Sequence, residues 1–215
     1  METIKPDAFL ETLMATKSPT GAETQAACAV DAFAKPFADA YSRDVLGNRF
    51  ATVGNAEKTI MFAGHIDEIG LIISHIDNDG FLFFQQLGGH DNIMLSGRRV
   101  AILTKNGIVR GVTGKKAIHL MDAKERKDVP ETHQIWIDIG AKSKDEAESL
   151  VEIGDSAVFE CGLEHLHGSR YAARAFDDKA GCYCAFEALR RIKEKGGNPD
   201  FKITAVATSQ EEIGT

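Results

Sequence analysis

Long apolar runs are missing from this 215-residue chain. Its uninterrupted apolar stretches are short, such as Gly70–Ile73, against the roughly 20 residues a membrane-spanning helix needs. Basic residues are also in deficit: Lys and Arg number 25 against 32 Asp and Glu, a formal net charge of −7. That balance argues against nucleic acid or an anionic membrane as partner and leaves room for cationic ligands such as metal ions. The N-terminus, METIKPDAFLETL, lacks the basic-then-apolar pattern of a signal peptide, so the expected compartment is cytoplasmic. Cysteine is sparse. Cys28, Cys161, Cys182 and Cys184 form no C-x-x-C pair, which speaks against structural zinc or a disulfide framework. They are expected to be small buried hydrophobes in a reducing compartment. No internal repeat is evident.

What is present is a packed-core composition, 43% hydrophobic. Lys5–Ala15 carries an apolar stripe (Phe9, Leu10, Leu13, Met14), with Pro6 and Asp7 suited to a first helical turn. A second helix is expected over Ala22–Ala34, with Thr20 and Glu23 as a capping box. Ala38–Val45, Arg49–Val53 and Lys58–Ala63 read as strands, the last a buried one. Past Glu68 the pattern changes to short strands and tight turns: Leu71–Ile76, Phe81–Leu87, Arg99–Thr104, Gly107–Val112, Gln134–Ile139 and Ala157–Cys161. Only Ser143–Leu150 looks helical there, and Asp122–Asp128 reads as a solvated loop. A helix over Lys179–Lys195 follows, with Ala180, Cys184, Ala185, Ala188, Leu189 and Ile192 as its apolar stripe. The strand Phe201–Thr208 comes next. The fold class is therefore α/β: residues 1–70 and 163–215 form one α/β domain, interrupted by a β-rich insertion, residues 71–162, of barrel or sandwich type.

The chemistry gathers at strand ends. Thr59–Gly70, TIMFAGHIDEIG, delivers His65, Asp67 and Glu68 behind an apolar run. On extended backbone His65 and Asp67 point to one side, so a carboxylate can fix the imidazole tautomer while the other ring nitrogen binds metal. Asp177-Asp178 precede a helix, where acids serve equally well as caps. Glu211-Glu212 follow a strand; they could belong to a solvated face, or one could bind metal while its neighbour moves a proton. In open α/β sheets, sites lie at the carboxyl ends of strands. Histidine and carboxylates together suit zinc, cobalt or manganese. His75, His90, His119, His133, His165 and His167 are more simply polar-loop or core histidines.

GHIDEIG, AFDDKAG and SQEEIGT resemble the dinuclear metalloaminopeptidases of the tetrahedral-aminopeptidase type, which include glutamyl and deblocking aminopeptidases and members labelled endoglucanase or cellulase. RDVLGN (43–48), GVTGKKAIHL (111–120), IWIDIGAKSKDEA (135–147) and EIGD (152–155) extend the resemblance along the chain. It implies a catalytic α/β domain with a parallel-rich sheet and a PDZ-like dimerisation insertion, used to build dimers or a hollow tetrahedral dodecamer. It implies two divalent ions, zinc or cobalt with manganese as a further option. His65 would bind one, Asp177 would bridge both and Glu212 would bind the second. Glu211 would be the general base and Asp67 would orient His65. The reaction would remove N-terminal residues from peptides by metal-activated water. Family members run on past the equivalent of Thr215 and bring a further aspartate and histidine ligand, so the resemblance also implies a fragment with a truncated catalytic domain. Two other functions remain in view. One is a catalytically incomplete oligomerisation or binding module. The other is glycan hydrolysis, disfavoured because glycosidase carboxylates flank the scissile bond from two sides about 5–10 Å apart.

Overall fold

The computed structural model describes residues 7–214. They form two compact units: residues up to Glu68 together with those from Cys161 onward, and Ile69–Glu160 between them.

In the first unit, helix α1 (Ala8–Ala15) starts at Asp7, whose carboxylate accepts the backbone N–H groups of Phe9 and Leu10. Lys5 and Pro6 lie outside the described residues. Helix α2 spans Thr24–Ala34. The expected capping box does not form: Glu23 accepts the Gly21 N–H, and the Thr20 hydroxyl is turned to a different partner. Strands β1 (Ala40–Arg43), β2 (Arg49–Val53) and β3 (Lys58–His65) follow.

The second unit holds β4 (Gly70–Ile76), β5 (Leu82–Leu87), β6 (Arg99–Thr104), β7 (Gly107–Lys115), β8 (Ile135–Asp138), helix α3 (Lys144–Leu150, capped by Ser143) and β9 (Ser156–Phe159). The strands close into a barrel in the order β4-β5-β8-β7-β6-β9, every pairing antiparallel. Closure leaves no free edge, and alternating residues such as Leu71, Ile73, Val100, Ile102, Ile135 and Ile137 fill the interior.

Back in the first unit, a small hairpin of β10 (Glu164–His165) and β11 (Tyr171–Ala172), absent from the sequence reading, leads to helix α4 (Phe176–Glu194) and strand β12 (Phe201–Thr208). The sheet order is β1-β2-β12-β3. Only β12 and β3 run parallel; the other two pairings are antiparallel. Among the described residues the parallel-rich sheet implied by resemblance is thus not what forms. The core lies between sheet and helices: Ala51 and Val53 of β2, and Ile203, Ala205 and Ala207 of β12, meet Phe9, Leu13, Val30, Cys182, Phe186 and Leu189.

Three expectations are corrected here. Ile60, Met61 and Phe62 are exposed, not buried, because β3 pairs only with β12 and forms an edge of the sheet. The buried residues of α4 are Lys179, Cys182, Ala185, Phe186, Glu187 and Leu189: Ala185 and Leu189 are buried as expected, but the face is rotated toward Cys182 and Phe186, so Cys184 faces outward. Of the four cysteines only Cys182 is buried; Cys28 and Cys184 are exposed and Cys161 is half-buried.

One glycine decides how β3 meets α4. A Cβ on Gly64 would sit 2.7 Å from the Gly181 carbonyl carbon and 2.8 Å from Cys182 Cα. Both are backbone atoms, which cannot swing aside. Gly64→Ala is expected to destabilise the protein by about 1–3 kcal/mol or more, as overpacking does. Chemical denaturation would register this as a lower midpoint, and an unchanged midpoint would refute the close approach.

Candidate active site

All five predicted site residues fall in the first unit, at the C-terminal ends of β3 and β12 and the start of α4. Because β3 and β12 run parallel with Thr208 opposite His65, the residues following both strands emerge at the same end of the sheet.

His65 is buried at the end of β3. Its Nδ1 donates to the Asp67 carbonyl oxygen at 3.1 Å, with the Asp67 carboxylate Oδ1 at 3.4 Å. That fixes the ring and leaves Nε2 facing outward, 3.2 Å from Asp177 Oδ1 and 3.7 Å from Glu211 Oε2. Burial works against a charged imidazole, but the Asp67 and Asp177 carboxylates outweigh it and raise the pKa of His65 to about 9.

The adjacent aspartates divide the two roles weighed for them. Asp178 is a cap, its Oδ1 accepting the Gly181 N–H at 3.0 Å. Asp177 presents its carboxylate to His65 and to solvent. The backbone turns into this pair through Ala175, which adopts a left-handed conformation (φ 60°). Gln210 does the same (φ 63°) just ahead of Glu211. Non-glycine residues rarely take this conformation, and such strain concentrates at functional turns.

Asp67 holds more than His65. It is fully buried, and its carboxylate accepts from the Thr20 hydroxyl (2.9 Å) and the backbone N–H groups of Glu211 (3.2 Å) and Glu212 (3.1 Å). Burial raises its pKa, yet these donors and His65 bring it below the usual carboxylate value. A second anchor acts on the same turn: Asn48 accepts the Ser209 N–H at 2.8 Å, and Asp44 holds the Asn48 amide. Glu212 is raised by burial, then further by the negative charges of Asp67, Asp177 and Glu211, with His65 opposing.

The donor set fits a divalent cation in part. Metal–nitrogen and metal–oxygen bonds of about 2.0–2.2 Å at a tetrahedral angle separate two donor atoms by roughly 3.3–3.5 Å, close to the spacing of His65 Nε2 and Asp177 Oδ1. Four carboxylates around one imidazole leave an excess of negative charge that a cation would relieve. Among the described residues, however, no group of three or more His, Cys, Asp or Glu converges as a ready metal cage.

Residues 47–215 match the model of the M42 glutamyl aminopeptidase family. The chain belongs to this family. Lysyl aminopeptidase of Pyrococcus furiosus is 34% identical over 182 residues, covering 84% of this chain and 51% of that protein. The crystal structure of a TET aminopeptidase from the marine sediment archaeon Thaumarchaeota archaeon SCGC AB-539-E09 is similar with a TM-score of 0.92 and 36% identity, covering 96% of this chain and 59% of that one. The TET1 peptidase of Pyrococcus horikoshii, described as able to assemble into a tetrahedron or a large octahedral shell, gives a TM-score of 0.85 at 35% identity, covering 96% and 61%. The chain spans about half the length of the curated relatives it matches.

In this M42 chain, sequence reasoning missed Thr20 and Asn48 as supports of the site. By sequence Thr20 fits a helix cap, the commoner use of threonine before a helix. Asn48 stood in a turn signal. The other histidines stay apart: His75, His90, His119 and His133 belong to the second unit, where His90 Nε2 donates to the Gly70 carbonyl. His165 closes its own hairpin onto the Gly168 carbonyl.

Proposed function

We propose that the protein is a dinuclear metalloaminopeptidase that removes N-terminal residues from peptides. The observation that carries this reading is the placing of His65 Nε2 against Asp177 Oδ1 and Glu211 Oε2 at the shared end of two parallel strands. The names of its relatives supply the substrate class. In this reading His65, Asp177 and Glu212 would hold divalent ions, zinc or cobalt. A bound divalent ion supplies Lewis acidity toward the scissile carbonyl and lowers the pKa of water. The chain's own residues do the rest. Glu211 accepts the proton of the attacking water at its carboxylate and delivers it to the departing amine. Asp67 holds the backbone of both glutamates and the His65 ring in place. The second unit serves homo-oligomerisation as a PDZ-like dimerisation domain, in line with the assemblies described for the TET1 relative, and the protein works in the cytoplasm.

The test is hydrolysis by the intact protein. With zinc or cobalt it is expected to release N-terminal amino acids from unblocked peptides, and prolonged chelation should reduce the rate to background, with recovery on adding metal back. No release from a broad peptide panel, or activity indifferent to chelation, would sink the reading.

A further inference from the structure

Beneath the site lies a buried ionic cluster to which neither the family match nor the proposed mechanism assigns a role. Glu68 and Lys179 are 3% and 0% exposed by side chain, and Arg174 is 12%. Glu68 Oε1 lies 3.0 Å from Lys179 Nζ, and Oε2 lies 2.9 Å from Arg174 Nε. The same carboxylate accepts the Ser18 N–H at 3.0 Å. Lys179 also donates to the Thr16 carbonyl at 3.0 Å, and Arg174 donates to the carbonyls of Met14, Thr16 and Cys161.

Its place in the chain is informative. Glu68 follows Asp67 directly and stands three residues after His65. Lys179 opens the regular part of α4, two residues after Asp177. The Glu68–Lys179 pair therefore joins the segment carrying His65 to the segment carrying Asp177, and both are tied to the loop after α1. That loop is itself paired with the β3 exit: Ser18 Oγ donates to the Ile66 carbonyl and the Glu68 N–H donates to the Ser18 carbonyl. Buried ion clusters are a poor source of net stability, since apolar side chains of similar volume often do as well. What they do provide is fixed geometry, because each charge tolerates few arrangements once water is excluded. Around Lys179, α4 buries Cys182, Ala185, Phe186 and Leu189, with Glu187 the other buried charge on the helix, so methionine or leucine at position 179 would suit packing alone.

We propose that Glu68 and Lys179 are positioning residues that set the distance between His65 and Asp177 and so tune metal affinity, while touching neither metal nor substrate. This rests on the reading of His65 and Asp177 as ligands. Lys179→Met keeps the stem and removes the charge; Glu68→Gln keeps the shape and most hydrogen-bonding capacity. In the intact protein, isothermal titration with zinc alone is expected to show about 10–100-fold weaker binding for either variant, as loss of residues supporting ligands typically brings. Activity at limiting zinc should fall in parallel and recover at saturating zinc, with KM little changed. In the metal-free protein at fixed pH, the His65 ring-proton resonance should shift in both variants. Circular dichroism checks the folding of Lys179→Met, and the milder Glu68→Gln accompanies it. If folded Glu68→Gln binds zinc within twofold of the parent and leaves the His65 resonance in place, the positioning role is wrong and the cluster only stabilises the fold. If the parent itself takes up no zinc, the metal reading fails as well, and the His65 resonance still decides whether the cluster sets the site's geometry.

Discussion

Glu211→Gln in the intact protein is expected to lower kcat by about 10²–10⁴, the usual worth of a positioned general base. The substitution is isosteric and leaves the backbone N–H of residue 211 on Asp67 Oδ1, so the turn should keep its place. Glu211 Oε2 stands 3.7 Å from His65 Nε2, close enough to reach a water held in the space before the ring. Its side chain is more than half exposed, so a neutral amide adds no buried polar group and stability should change by less than about 0.5 kcal/mol. KM and zinc stoichiometry should stay near the parent values, because only the proton-accepting oxygen is lost. Glu212→Gln should behave differently: as a ligand substitution it should weaken metal binding, and excess metal should restore part of the rate. A Glu211→Gln enzyme with kcat within threefold of the parent would remove Glu211 from the proton-transfer role and leave its neighbour as the candidate.

Much of the architecture was legible because hydrophobic period and turn chemistry are local properties. The strands Arg49–Val53 and Arg99–Thr104 are placed as read, and α3 starts at Ser143 as its cap chemistry requires. Strand burial was less legible. Ile60-Met61-Phe62 has the composition of a core strand, but composition cannot say whether a strand has a neighbour on each side, and β3 has one. The face of α4 was misread for a related reason. An apolar stripe has no place for Lys179, whereas a carboxylate 111 positions earlier in the chain gives it a buried partner. Site residues were legible where one segment carries two reactive groups, as in His65 and Asp67 or Glu211 and Glu212. Thr20 and Asn48 were not, since each acts on a backbone or carboxylate brought near only by folding.

Asp67→Asn separates the two duties of the most connected residue in the site. The parent carboxylate offers only acceptors to four donors: the Thr20 hydroxyl, two backbone N–H groups and the neighbouring imidazole. An amide turns one oxygen into a donor. The least costly orientation puts the NH₂ at the Oδ2 position, where the Thr20 hydroxyl can rotate to accept it, but the Glu212 N–H then meets a donor. A buried unsatisfied N–H costs about 1–3 kcal/mol, so the metal-free variant should be at least that much less stable at neutral pH. The imidazole supplies the second duty. With a folded-state pKa of about 9 against the ordinary 6.5, His65 contributes stability that is fully present below pH 6.5 and is lost as pH rises through 9. Without the Asp67 charge, burial of the ring is opposed only by the Asp177 carboxylate and the Asp67 carbonyl oxygen, so the His65 pKa should fall. The stability gap between parent and Asp67→Asn, measured by urea unfolding of metal-free protein, is therefore expected to be widest near pH 6 and to narrow by about 1–2 kcal/mol above pH 9. A gap of constant size across that range would mean that Asp67 serves the Glu211–Glu212 turn alone, and that His65 is oriented by the Asp67 carbonyl oxygen, which the substitution leaves in place.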